Sequence, residues 1–115
     1  MKRLTTHVLD TAKGKPGSNI KIELYSLQNG RELIKTLTTN SDGRTDEPLL
    51  EGDAFNHGQW ELVFHVGNYF SETQNTDATM PFLDEIPLRF SISSDAHYHV
   101  PLLVSPWSYS TYRGS

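Results

Sequence analysis

Three histidines and an arginine are the residues in this chain whose types and surroundings could do chemistry near neutral pH. His7 sits in Leu4-Thr5-Thr6-His7-Val8-Leu9-Asp10, His97 and His99 in His97-Tyr98-His99-Val100-Pro101-Leu102-Leu103, and Arg44 closes the turn Asn40-Ser41-Asp42-Gly43-Arg44. An imidazole titrates close to neutrality and can take or give a proton there. A guanidinium stays charged and presents a planar fork suited to carbonyls and partial negative charge. His97 and His99 also share the i, i+2 spacing that metal sites use on strands, so a zinc site of His7, His97 and His99 is a competing use of the same side chains. The ending Tyr109-Ser110-Thr111-Tyr112-Arg113-Gly114-Ser115 is aromatic and patterned where chain ends are commonly loose. It is expected to be tied down by strand pairing, which would give Arg113, Ser115 and the terminal carboxylate defined positions.

The elements that must position these groups read as β-strands, because apolar residues alternate with period two between turn signals. Leu4 to Asp10 alternates. Ile20, Ile22 and Leu24 mark a second run, Gln28-Asn29-Gly30 is a hairpin turn, and Glu32 to Thr38 is its partner strand. Residues 48–58 read as irregular, with at most one short strand. Leu62, Phe64 and Val66 share a face, as do Leu88, Phe90 and Ile92, and then Tyr98, Val100, Leu102 and Val104; Trp107 to Tyr112 is the last strand. Ser71-Glu72-Thr73-Gln74 has the form of a helix start, with Pro81 downstream as a stop, so one short helix is expected there. The sum is a single all-β domain over residues 1–115, a two-sheet antiparallel sandwich of about eight strands.

Strand parity then assigns faces. With Leu4, Thr6 and Val8 inward, Thr5, His7 and Leu9 point outward; with Tyr98, Val100, Leu102 and Val104 inward, His97, His99, Pro101 and Leu103 point outward. An outer face that carries leucines beside imidazoles is expected to be covered by another subunit. A domain of 115 residues buries roughly two-thirds of its unfolded surface, which favours a cleft shared between copies over a deep pocket in one.

Composition excludes several function classes. Ten basic and fourteen acidic residues, net charge -4, form no long run of either sign and leave no footprint for nucleic acid or an anionic membrane. The absence of cysteine removes disulfides, thiolate metal sites and thiol nucleophiles, and fits a reducing compartment. Met1-Lys2-Arg3 is followed by no apolar stretch of signal-peptide length, and no segment approaches a membrane span. The expectation is a cytoplasmic protein.

The motifs together resemble the 5-hydroxyisourate hydrolases, the transthyretin-related enzymes of urate breakdown, nearly end to end. They are Leu4 to Asp10, Gly14-Lys15-Pro16, Asn40 to Arg44, Pro81-Phe82-Leu83 with Pro87, His97 to Leu103, and Ser105-Pro106-Trp107-Ser108-Tyr109-Ser110-Thr111-Tyr112-Arg113-Gly114-Ser115. The ending discriminates: the enzyme family finishes in Tyr-Arg-Gly-Ser, whereas hormone-carrying transthyretins share the preceding stem and then diverge.

The resemblance implies a transthyretin-like fold and a homotetramer, a dimer of dimers with sites in a central channel. It implies His7, Arg44, His99 and Ser115 as catalytic residues and His7, Arg44, Tyr112 and Ser115 as substrate contacts, with no metal and no cofactor. The implied reaction hydrolyses 5-hydroxyisourate, an oxidised purine, to 2-oxo-4-hydroxy-4-carboxy-5-ureidoimidazoline. Opening a cyclic amide with water needs a base for the water, charge stabilisation for the oxyanion and an acid for the departing nitrogen. Arg44 would hold substrate and developing charge, His7 and His99 would divide water activation and proton delivery, and Ser115 with Tyr112 would orient substrate or an imidazole. Two readings compete: a non-catalytic carrier of a small aromatic ligand on the same fold, and the zinc hydrolase of His7, His97 and His99. His65 and His57 read as strand-surface and turn residues, Arg113 as an interface cation, and Tyr109 and Trp107 as packing.

Overall fold

In the computed structural model, residues 2–73 and 80–114 are described. Strand β1 (Arg3–Thr5) and β2 (Val8–Asp10) are followed by β3 (Lys15–Pro16), β4 (Lys21–Ser26), β5 (Glu32–Thr38) and β6 (Leu50–Glu51). Then come a 3-10 turn (Gly52–Ala54), β7 (Gly58–His65), helix α1 (Gly67–Thr73), β8 (Glu85–Ile92), β9 (His97–His99), β10 (Leu102–Val104) and β11 (Tyr109–Thr111).

The longest alternating runs build one layer, in the order β5-β4-β7-β8, antiparallel throughout. Gly30, with φ 81°, supplies the left-handed residue that turns the chain between β4 and β5. Ile22 and Leu24 of β4 and Leu62 and Phe64 of β7 are fully buried on its inner face. Burying each such side chain is worth about 1.5–3 kcal/mol.

The second layer holds the chemistry. It consists of β6-β1-β9 and β11-β10-β2-β3, made continuous where Val100 N–H donates to Thr5 O (2.9 Å) and Leu102 N–H donates to His7 O (2.9 Å). The run Leu4 to Asp10 is thus one strand interrupted at Thr6-His7, lying beside a second interrupted at Val100-Pro101. Their inward side chains Leu4, Val8, Val100, Leu102 and Val104 join the residues of the first layer in one apolar cluster. The architecture is the expected all-β sandwich with one short helix.

Three details differ from the sequence reading. The pairs β1–β9 and β2–β10 run parallel, within sheets otherwise antiparallel; alternation fixes faces but carries no strand direction. Helix α1 begins at Gly67, four residues before the Ser71 start read from the capping pattern. The chain turns into it where Val66 and Gly67 N–H groups both donate to Asp84 O (2.9 and 3.1 Å), a contact from a distant segment. Its expected continuation toward Pro81 falls on 74–79, outside the described residues. Pro101, assigned to the outer face, is buried.

Candidate active site

The turn from Asn40 to Arg44 is built by its own polar groups. Asn40 Oδ1 accepts from the Asp42 and Arg44 N–H groups (2.9 and 3.2 Å), Gly43 N–H donates to Asn40 O (2.9 Å), and Asn40 N–H donates to Arg44 O (2.7 Å). Gly43 has φ 77°, a conformation that glycine adopts without strain. Its O accepts from Val8 N–H (2.8 Å), so the turn leans directly on the strand carrying His7. A Cβ at Gly43 would collide with the Val8 carbonyl oxygen.

That docking orients His7. Its Nε2 lies 2.9 Å from Asp42 O, and since a carbonyl can only accept, Nε2 carries the hydrogen. The neutral ring therefore keeps its lone pair on Nδ1. Burial first, and then the Arg44 guanidinium, hold His7 below its ordinary pKa, partly opposed by the bond to Asp42.

His99 stands one strand away, in register with Thr5. Burial lowers its pKa first, then Arg44, His97 and His7. His99 thus lies close enough to feel the charges of Arg44 and His7, and His7 that of Arg44, and both rings are shifted toward the neutral form that can accept a proton. His97 is lowered by burial and by Arg3.

Between His97 and His99 lies the Thr5 hydroxyl, 2.7 Å from His97 Nε2 and 2.8 Å from His99 Nδ1. Arg3, Thr5, Arg44, His97 and His99 line an open cavity of about 460 Å³ together with residues 45–48. Arg3 Nε is buried without a hydrogen-bond partner among the described residues. Sequence reasoning missed Thr5 and Arg3 as site residues. For Thr5 the signal was present, because parity had already put it on the face of His7, but a threonine in a strand is unremarkable by type.

The chain ending is tied down as expected. β11 pairs with β10, and beyond it Gly114 N–H donates to His99 O (2.7 Å) while His99 N–H donates to Gly114 O (3.3 Å). Arg113 lies over the Tyr98 ring, 4.1 Å from its centroid. Tyr112 is exposed and borders a second cavity with Leu88, Tyr98 and Arg113, away from the imidazoles of its own chain. Ser115 lies outside the described residues.

The zinc set weighed from sequence is not assembled: among the described residues no three His, Cys, Asp or Glu side chains are grouped to hold an ion. The threonine hydroxyl occupies the place between His97 and His99. No described helix is long and apolar enough to cross a membrane.

A two-layer β-sandwich with imidazoles and a guanidinium gathered on the outer face of its parallel strand pair defines a transthyretin-type scaffold equipped for proton transfer. The chain belongs to the HIUase/Transthyretin family, whose model matches residues 4–114. It is 57% identical to 5-hydroxyisourate hydrolase 2 of Rhizobium meliloti, over 98% of this chain and 96% of that protein. The 5-hydroxyisourate hydrolase of Klebsiella pneumoniae superposes with a TM-score of 0.82 at 30% identity, over the whole of both chains. An (S)-allantoin synthase superposes with a TM-score of 0.92 at 49% identity, over 99% of this chain and 44% of that one; this chain spans under half of it.

Proposed function

We propose that this protein is a hydrolase of 5-hydroxyisourate that opens the cyclic amide with water and uses no cofactor. The observation that carries the reading is His7, whose Nε2–H is committed to Asp42 O and whose Nδ1 is left as the basic nitrogen. Water placed against Nδ1 gives up a proton as its oxygen adds to the amide carbon. Arg44, an exposed guanidinium lining the open cavity, holds the carbonyl oxygen as it gains charge. When the carbon–nitrogen bond breaks, the departing nitrogen takes a proton from the imidazole side of the site. The His7 imidazolium gives it the proton taken from water and returns to the neutral base, while neutral His99 hydrogen-bonds the substrate through Nε2–H, the nitrogen not bonded to Thr5.

Ser115 and Tyr112 enter this reading through the chain ending. The pairing of Gly114 with His99 supports a role for the next residue beside the imidazole. Tyr112 would reach substrate from a neighbouring copy, in a tetramer whose subunits cover the outer faces around Leu9, Leu103 and the imidazoles. We assign the protein to the cytoplasm on its lack of cysteine. Removing residues 112–115 should abolish turnover while the assembly, read by light scattering, survives; an assembled truncated protein with the original rate overturns the role of the ending.

The test of the activity is the absorbance decay of freshly generated 5-hydroxyisourate, with and without protein. Acceleration that depends on protein concentration and survives exhaustive chelation supports the reading. Unaltered decay overturns it and leaves a ligand carrier on the same scaffold.

A further inference from the structure

We propose that Thr5 locks neutral His97 and His99 into the same tautomer, which makes His97 a positioning residue for His99. The argument is a count of hydrogens. A threonine hydroxyl has one hydrogen and two lone pairs. Its bonds among the described residues run to His97 Nε2 and His99 Nδ1, at 2.7 and 2.8 Å.

Each of those nitrogens either carries a hydrogen or presents a lone pair. Two lone pairs facing the oxygen would leave one of them against an oxygen lone pair at hydrogen-bond distance. Two N–H groups would satisfy the oxygen but turn the hydroxyl hydrogen away from both rings toward the open cavity, forgoing its bond to an imidazole lone pair at 2.7 or 2.8 Å. One nitrogen therefore donates to Thr5 and the other accepts from it.

If His97 Nε2 donates, His99 Nδ1 accepts and His99 holds its hydrogen on Nε2: both rings are the Nε2–H form. If His99 Nδ1 donates, His97 Nε2 accepts and both rings are the Nδ1–H form. His99 Nε2 can change between donor and acceptor only when His97 changes with it. The neutral condition is met at about pH 8, above the ordinary histidine value of about 6.5, and burial shifts both rings further in that direction.

Thr5 belongs to β1 and the histidines to β9, and the parallel register places Thr5 opposite His99. The coupling is therefore a property of the sheet, present before substrate arrives. Its catalytic consequence rests on the hydrolase reading: hydrogen-bond donation from neutral His99 Nε2 to the substrate needs the Nε2–H form, which the trio holds as a unit.

The test is 15N NMR of histidine-labelled protein at about pH 8, where imidazoles are neutral, with resonances assigned by His97→Phe and His99→Gln. The expected result is one tautomer shared by both rings. Opposite tautomers at His97 and His99 overturn the inference. This measurement needs no substrate, so its failure leaves the hydrolase reading standing, and an inactive protein leaves the tautomer result standing.

A kinetic arm reads the consequence. Thr5→Val and His97→Phe should each lower kcat about tenfold, the range typical of groups that orient a functional histidine, and the double variant should fall no further than the worse single one. Thr5→Ser, which keeps the hydroxyl, should recover kcat to within about threefold. Losses that multiply in the double variant, or equal losses in Thr5→Ser and Thr5→Val, contradict a shared hydrogen-bonded unit.

Discussion

Gly114 and His99 exchange backbone hydrogen bonds, and a Cβ added at Gly114 would come within 3.2 Å of both Cβ and Cδ2 of His99. The end of the chain thus presses its backbone against the His99 imidazole, at a spot where a side chain would tilt the ring. Gly114→Ala is expected to lower kcat about threefold to tenfold, because reacting groups tolerate little displacement, while the melting temperature barely moves. Steady-state kinetics beside a thermal melt check this.

The turn that carries Arg44 should be sensitive to a single methyl group. Gly43→Ala forces an alanine into a left-handed conformation and drives its Cβ onto the Val8 carbonyl. A loss of about 2 kcal/mol or more in denaturant unfolding is expected, since the conformation alone costs roughly 1–2 kcal/mol. Turnover should fall with it, because the same turn holds His7 through Asp42.

The acid limb of the rate profile follows from the lowered histidines. His7 and His99 bind protons less readily folded than unfolded, so kcat/KM should be flat above neutrality and fall with a midpoint below the ordinary histidine value of about 6.5. Stability has the same sign. The unfolded chain takes up these protons first, so stability is full above about pH 6.5 and is lost as pH falls through the folded pKa values. Arg44→Gln removes a cation that lowers both rings and should move the acid midpoint upward, whatever its cost in rate. A midpoint unchanged in Arg44→Gln would separate the arginine from the histidines.

Asp10 offers a contrast, a buried group that serves the fold. Its carboxylate accepts from the Ala12 and Lys13 N–H groups (3.0 and 3.1 Å) and from the Tyr69 hydroxyl (2.7 Å), tying α1 to β2. Tyr69→Phe should cost about 1–3 kcal/mol by removing a donor to a buried carboxylate. Its kcat should stay within about twofold of the original at a temperature where both proteins are folded.

Particular residues show what the sequence made legible. Leu4, Thr6 and Val8 alternate strictly with Thr5 and His7, and Tyr98 and Val100 with His97 and His99, so the face shared by the imidazoles was legible in period two read together with the motifs. The Asp-Gly pair marked the turn before Arg44, but that it leans on Val8 is a long-range contact with no local signature. The helix was placed late because Ser71 imitates a cap, whereas Asp84 O, far along the chain, receives the N–H groups where α1 begins. Thr5 escaped notice for a different reason: its importance lies in two distances to another strand, which no property of a threonine announces. Tyr112 was read into the site from the family ending, and in one chain it faces a different cavity.

The central claim is that His7, Arg44 and His99 together split water against a cyclic amide. The most direct measurement is the decay of fresh 5-hydroxyisourate with the intact protein beside His7→Ala, Arg44→Ala and His99→Ala, each checked for folding by circular dichroism. The account predicts rates about 10²-fold or more below the original in all three, the scale of lost acid–base or oxyanion stabilisation. A folded variant of any of the three that keeps the original rate would contradict it.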